Sequence, residues 1–244
     1  MAGLLVALVL TGAAYSMFAP AQAAGSSNTE SSAEAAGRAL YEKTCISCHG
    51  ANLDGVPHRG PSLIGVGEAS VYFQVHTGRM PLARQEAEAQ RKPPVFTDTQ
   101  IDQLMAYVQA HGGGPTLPSG DLRDGDLAQG GELFRLNCAS CHNFVGEGGA
   151  LSSGKYAPNL KNATDLDIYT AMLTGPENMP VFGDNQLTPN EKRAVINYVQ
   201  TIKAQADPGG AGIGRIGPVS EGLVIWVVGI GVMLFGIFWM GSKA

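Results

Sequence analysis

The segments Cys45-Ile-Ser-Cys48-His49 and Cys138-Ala-Ser-Cys141-His142 set one five-residue pattern twice into a chain of 244 residues, 93 positions apart. They hold all 4 cysteines of the chain. Four thiols are too few to staple a chain of this length, so their spacing carries the information.

The two segments belong to a longer duplication. Gly37-Arg-Ala-Leu-Tyr41 matches Gly130-Gly-Glu-Leu-Phe134, and each leads four residues later to a cysteine. Pro61-Ser-Leu63 matches Pro158-Asn-Leu160, and Thr77-Gly-Arg-Met80-Pro81 matches Thr174-Gly-Pro-Glu-Asn-Met179-Pro180. Thr97 to Gln109 matches Thr188 to Gln200. Order is kept while spacings drift, as two copies of one domain with different loops require. The first copy is expected over 37–111 and the second over 127–205, with Gly- and Pro-rich linkers at 112–126 and 206–221 and a further such stretch, Gly25 to Ser32, ahead of the first copy. Domains of roughly 75 to 80 residues have little core of their own and gain from a large buried cofactor.

Each copy is predicted to open and close with a helix, which makes the fold all-α. Thr97-Asp-Thr-Gln100 and Thr188-Pro-Asn-Glu191 have the form of capping boxes, the second with proline at the first helical position. Gly37 with Tyr41, and Gly130 with Phe134, stand four apart on one face. A small residue beside an aromatic admits a crossing helix, and the closing helices offer Leu104 with Tyr107 and Val195 with Tyr198 at i, i+3.

Cys-x-x-Cys-His is the attachment motif of c-type heme: two thiols add to the porphyrin vinyl groups and the adjacent histidine ligates the iron. Zinc sites usually bring their cysteine pairs into one small module, whereas these pairs lie in separate repeats. Thioredoxin-like pairs need a βαβ setting, and simple disulfides leave the histidines unexplained. The expectation is two covalently bound hemes, held by Cys45 and Cys48 and by Cys138 and Cys141, with His49 and His142 on the irons. Met80 and Met179 stand at equivalent places before a proline, in segments too broken for helix, and are the candidate sixth ligands. His58 and His76 compete in the first copy, whereas the second holds no histidine but His142. Met105 and Met172 sit in helical patterns and read as core. The loops of Pro61 and Pro158 are placed to offer a carbonyl to the second ring nitrogen of each histidine, the usual support of a metal-bound imidazole. Iron with both axial positions filled has no place for substrate, so the chain should carry electrons and hold no catalytic residue of its own. Arg84 to Lys92, an insertion of mixed charge in the first copy, reads as a solvated surface or a place for a partner to dock.

Gly222 to Gly241 is a 20-residue run without charge, long enough to cross a bilayer. Trp226 and Trp239 lie near its ends; Glu221 precedes it and Lys243 follows it, which puts the C-terminus in the cytoplasm and the preceding domains outside the plasma membrane. Residues 1–24 combine an apolar stretch, Leu4 to Leu10, with an Ala21-Gln-Ala23 cleavage pattern but lack the basic region that should precede them, which points to a start upstream of Met1. They are expected to form a retained N-terminal membrane anchor, with a cleaved signal segment as the alternative. A net charge of −5 argues against nucleic acid as a partner.

Taken together, the tandem motifs, His49-Gly-Ala-Asn-Leu53, Gly60-Pro-Ser-Leu-Ile-Gly-Val-Gly67, Leu133-Phe-Arg-Leu-Asn-Cys-Ala-Ser-Cys-His-Asn143 and the C-terminal span resemble the diheme cytochrome c subunit of the actinobacterial menaquinol–cytochrome c reductase, the cytochrome bcc complex. The resemblance implies two tandem class I cytochrome c-like heme domains and the ligand set already named. It further implies a cytochrome b subunit and a Rieske iron–sulfur subunit as partners, and electron delivery to a heme-copper cytochrome c oxidase in the same assembly. The chain would then serve an enzyme, the reductase, as its electron-transfer subunit. The alternatives are the cytochrome subunit of a periplasmic dehydrogenase or another oxidase, a diheme peroxidase, which needs one open iron, and a purely structural membrane adaptor.

Overall fold

The computed structural model describes residues 30–84, 86, 88–205 and 218–243, together with the isolated helical positions 3, 8 and 11. The expected N-terminal anchor, most of the stretch Gly25 to Ser32, and most of the linker at 206–221 therefore lie outside the described residues.

The first copy contains α1 (Ser32–Thr44), a single turn α2 (Ile46–His49), α3 (Gly67–His76) and α4 (Asp98–Gly112). In the second copy α5 (Leu127–Asn137), the turn α6 (Ala139–His142), α7 (Asp165–Thr174) and α8 (Pro189–Ala204) follow the same order. The opening helix starts five residues before Gly37, at Ser32. A two-stranded hairpin, β1 (Gly149–Ala150) with β2 (Tyr156–Ala157), interrupts the otherwise helical chain. Pro158 follows His142 by 16 positions and Pro61 follows His49 by 12; the shorter loop closes on a single bridge between Val56 and Gly60, and the longer one extends the pairing to two residues a side.

The predicted capping boxes close in the structure. Thr97 and Gln100 satisfy each other's backbone amides at the start of α4, and Thr188 and Glu191 do so at the start of α8. Opening and closing helices cross where the small residues stand. A Cβ built on Gly37 would overlap the Gln103 carbonyl and lie 2.9 Å from Tyr107 Cβ; one on Gly130 would overlap the Ala194 carbonyl and lie 3.1 Å from Tyr198 Cβ. The aromatics then meet beside each crossing, Tyr41 on Tyr107 at 5.2 Å and Phe134 on Tyr198 at 5.5 Å between ring centroids. Because the obstacle is backbone, it cannot rotate away. Gly130→Ala should cost about 1–3 kcal/mol as an overpacked helix contact, read as a lower urea midpoint with unchanged slope.

Each copy also has a middle helix, and these two pack on each other. In α3 the buried residues are Gly67, Ala69, Val71, Phe73 and Val75, every second position. Val71 and Val75 face the first copy's core, whereas Phe73 faces the second copy. The contact is sealed by Asp167, which is nearly inaccessible. Its Oδ1 lies 2.8 Å from His76 Nδ1, and its Oδ2 accepts from the Thr164 amide at 3.0 Å and from Arg91 Nη2 at 3.4 Å.

The 112–126 segment is docked on both copies: Leu122 packs on the second core and Asn197 Nδ2 donates to Gly125 O at 2.8 Å, while the start of the segment lies along the first copy. Ala69 N–H donates to Pro115 O at 3.2 Å, Leu117 N–H donates to Glu68 Oε1 at 2.7 Å, and Leu117 packs on the first core. At the other end α9 (Pro218–Gly241) contains the one helix among the described residues that is long and apolar enough to cross a membrane, Gly222–Gly241. Beyond it the Lys243 ammonium lies 4.9 Å from the Trp239 ring centroid, a pairing suited to an interface.

Candidate functional site

Both Cys-x-x-Cys-His segments fold into the same turn. The amides of Cys48 and His49 donate to the Cys45 carbonyl at 3.1 and 2.9 Å; those of Cys141 and His142 donate to the Cys138 carbonyl at 3.2 and 2.9 Å. One helical turn brings residues three apart onto one face, so each pair of thiols shares a side. No disulfide joins any of the four, so both sulfurs of each pair are available to a heme. Burial, with the neighbouring Cys141 adding to it, pushes the Cys138 thiol up to about 11, and burial likewise raises Cys45.

The histidines are held alike. His49 Nδ1 lies 2.8 Å from the Pro61 carbonyl and His142 Nδ1 lies 3.0 Å from the Pro158 carbonyl. A carbonyl oxygen can only accept, so Nδ1 is the protonated nitrogen and Nε2 keeps its lone pair for a metal. Burial also lowers the His142 pKa despite that carbonyl, which favours the neutral ring.

In the second copy Cys138, Cys141, His142 and Met179 line one cavity, whose wall is otherwise mostly apolar, with Phe134, Ile168 and Val195 among its residues. Two thiols, an imidazole with a free lone pair and a thioether on an apolar chamber form the donor set that c-type heme requires, and the residues fit that group. In the first copy Cys45 and Met80 pack against the same buried cluster, which includes Tyr41, Val71 and Ile101. Met105 lies in the first core and Met172 in the second, where Met172 also borders the cavity. The competing histidines are placed elsewhere: His76 is engaged by Asp167 and stacked on Tyr72 at 4.7 Å, and His58 sits on an exposed loop.

In the 84–92 insertion Arg84, Glu86, Gln90 and Arg91 are exposed, as a solvated surface requires, but its later residues are also tied into the fold. Ala89 is buried, and its amide donates to Glu177 Oε1 at 3.2 Å, while Glu88 Oε2 accepts from the Tyr156 amide at 3.2 Å. Lys92 grips the Met80 loop: its ammonium donates to the carbonyls of Gly78, of Arg79 at 3.1 Å and of Pro81 at 2.8 Å. Three carbonyls around one methionine give the ammonium all its acceptors and hold that loop in place. The only sequence signal of this was a charged run beside a candidate ligand.

The Cytochrome c family model matches residues 34–112, and that of Cytochrome C oxidase, cbb3-type, subunit III matches residues 125–199. A cytochrome bc1 complex cytochrome c subunit of Mycobacterium leprae is 52% identical over 250 residues, 99% of this chain and 86% of the relative. One of Corynebacterium efficiens is 52% identical over 241 residues, 92% of this chain and 81% of the relative. More remotely, the cbb3-type cytochrome c oxidase subunit CcoP of Cereibacter sphaeroides is 32% identical over 140 residues, 52% of this chain and 44% of the relative. Two cytochrome c-type domains imply covalent c-type heme in each. With half its residues shared over nearly its full length, the chain belongs to the family of cytochrome c subunits of the cytochrome bc1 complex.

Proposed function

We propose that this chain is the membrane-anchored diheme electron carrier of a quinol-oxidising bc-type complex. It receives electrons from a Rieske iron–sulfur subunit beside a cytochrome b subunit and passes them to a heme-copper oxidase. Menaquinol is the quinol class that the family resemblance suggests. One heme is held on Cys45 and Cys48 with His49 and Met80, the other on Cys138 and Cys141 with His142 and Met179. The C-terminal span ties the chain to the plasma membrane with both domains on the outer side and Lys243 toward the cytoplasm; residues 1–24 add a second anchor.

The observation that carries the reading is the repeated geometry of a thiol pair on one turn with a histidine whose Nδ1 is committed to a proline carbonyl. Bound heme supplies a one-electron iron couple at each site. The chain's own residues do the rest. The Pro61 and Pro158 carbonyls fix the ring tautomer and raise the basicity of the ligating nitrogen. The Met80 and Met179 thioethers would hold each iron together with its histidine and favour the ferrous state, leaving no need for a bond to a substrate. A mostly apolar wall surrounds the second site.

Heme staining after denaturing electrophoresis tests the attachment. The parent chain should stain, and the Cys138→Ser with Cys141→Ser double variant and the corresponding Cys45 and Cys48 double variant should each show half the parent stain per chain. Full staining of either double variant would remove its cysteines from the assignment. Purification in mild detergent should bring down cytochrome b and Rieske subunits, and their absence would count against the proposed complex.

A further inference from the structure

The second copy does not complete its own cavity. Phe73, Arg79, Glu88 and Arg91, all from the first copy, form part of its wall. Arg79 is only 7% exposed, and its guanidinium carbon stands 4.8 Å from the centroid of the Phe73 ring. Its Nη1 has no hydrogen-bond partner among the described residues. A buried donor on a charged group left without an acceptor is costly, and such a group in a cavity wall calls for a ligand that completes it.

The neighbouring carboxylates are engaged by other donors. Asp167 is taken by His76, Arg91 and the Thr164 amide, Glu88 by the Tyr156 amide, and Glu177 by the Ala89 amide. No described hydrogen bond joins any of them to Arg79, so the acceptor is left to whatever fills the cavity, and a buried cation favours an anionic one. Heme carries two propionate carboxylates, and a guanidinium matches a carboxylate in charge and geometry.

Resting on the reading that the second copy holds heme, we propose that Arg79 of the first copy binds a propionate of the second copy's heme. The second heme site is thus shared between the two halves. Since Arg79 adjoins Met80, one short loop supplies the ligand of one heme and the carboxylate clamp of the other. A paired propionate no longer stabilises ferric iron by its charge, so Arg79 raises the second heme's potential.

The test uses the full-length chain in detergent, with Arg79→Gln, Arg79→Lys and Arg79→Met. The last keeps an apolar stem over Phe73 and removes only the charged head. Heme content per chain is read first, then both midpoints in mildly alkaline buffer, where a released carboxylate is ionised. The second heme is identified as the one that moves in Met179→Ala. We expect two covalent hemes in every variant. The second midpoint should fall in Arg79→Gln and in Arg79→Met by a tenfold change in the redox equilibrium, about 59 mV for one electron, and Arg79→Lys should recover most of the difference. An unchanged second midpoint in both neutral variants, or an equal fall in Arg79→Lys, overturns the clamp. A parent chain with fewer than two covalent hemes would instead overturn the underlying heme assignment, and it is read before any variant.

Discussion

Asp184→Ala should destabilise the second domain by about 3–5 kcal/mol, whereas Lys192→Met, which breaks the same ion pair, should leave stability unchanged or raise it. The asymmetry comes from where the two partners sit. Lys192 has 0% side-chain exposure, and its Nζ lies 2.6 Å from Asp184 Oδ1, while Asp184 is 64% exposed. Removing the carboxylate leaves a buried ammonium beside an apolar helix face, with the Tyr169 ring centroid at 5.7 Å as weak compensation. Removing the ammonium instead leaves a carboxylate in water and a methionine of similar length in the core. Loss of helical circular dichroism against urea measures both variants. Equal losses would mean that the pair, rather than the stranded cation, governs stability.

Met179→Ala should lower the second heme's midpoint by on the order of 0.1 V, within the roughly 0.8 V over which axial ligation acts. It should not release the heme, because thioether bonds through Cys138 and Cys141 hold the porphyrin whatever occupies the sixth position. Met179 borders the same cavity as both cysteines and His142. Its position is set by its own loop, through its amide to the Pro176 carbonyl at 2.9 Å and the Phe182 amide to the Met172 carbonyl at 2.8 Å. Potentiometric titration checks the result, and two unmoved midpoints would exclude Met179 as a ligand.

Much of this site is local in sequence and so could be read there. The thiol turn is written in five consecutive residues, the capping boxes in four, and the helix crossings in a glycine and an aromatic four apart. Lys192 was legible too, although its charge concealed it: with Val195, Ile196, Val199 and Ile202 it lies on one apolar stripe of α8, which marks it as buried. The middle helices were not legible. Burial at alternate positions of α3 imitates a strand because the helix is covered on two sides, by its own core and by the other copy, and no single apolar face remains to give a helical period. The role of the 84–92 insertion escaped for a related reason. Its charges meet carbonyls, amides and carboxylates brought close by the tertiary fold, and nothing in their order along the chain announces those partners.

The contact between α3 and α7, closed around the inaccessible Asp167 and its His76 partner, has a kinetic consequence. A soluble carrier must find its acceptor by diffusion, so its delivery slows on dilution and, where charges steer the encounter, with added salt. Two halves joined through a buried contact hand over an electron in a first-order step, whose rate is indifferent to dilution and nearly so to ionic strength.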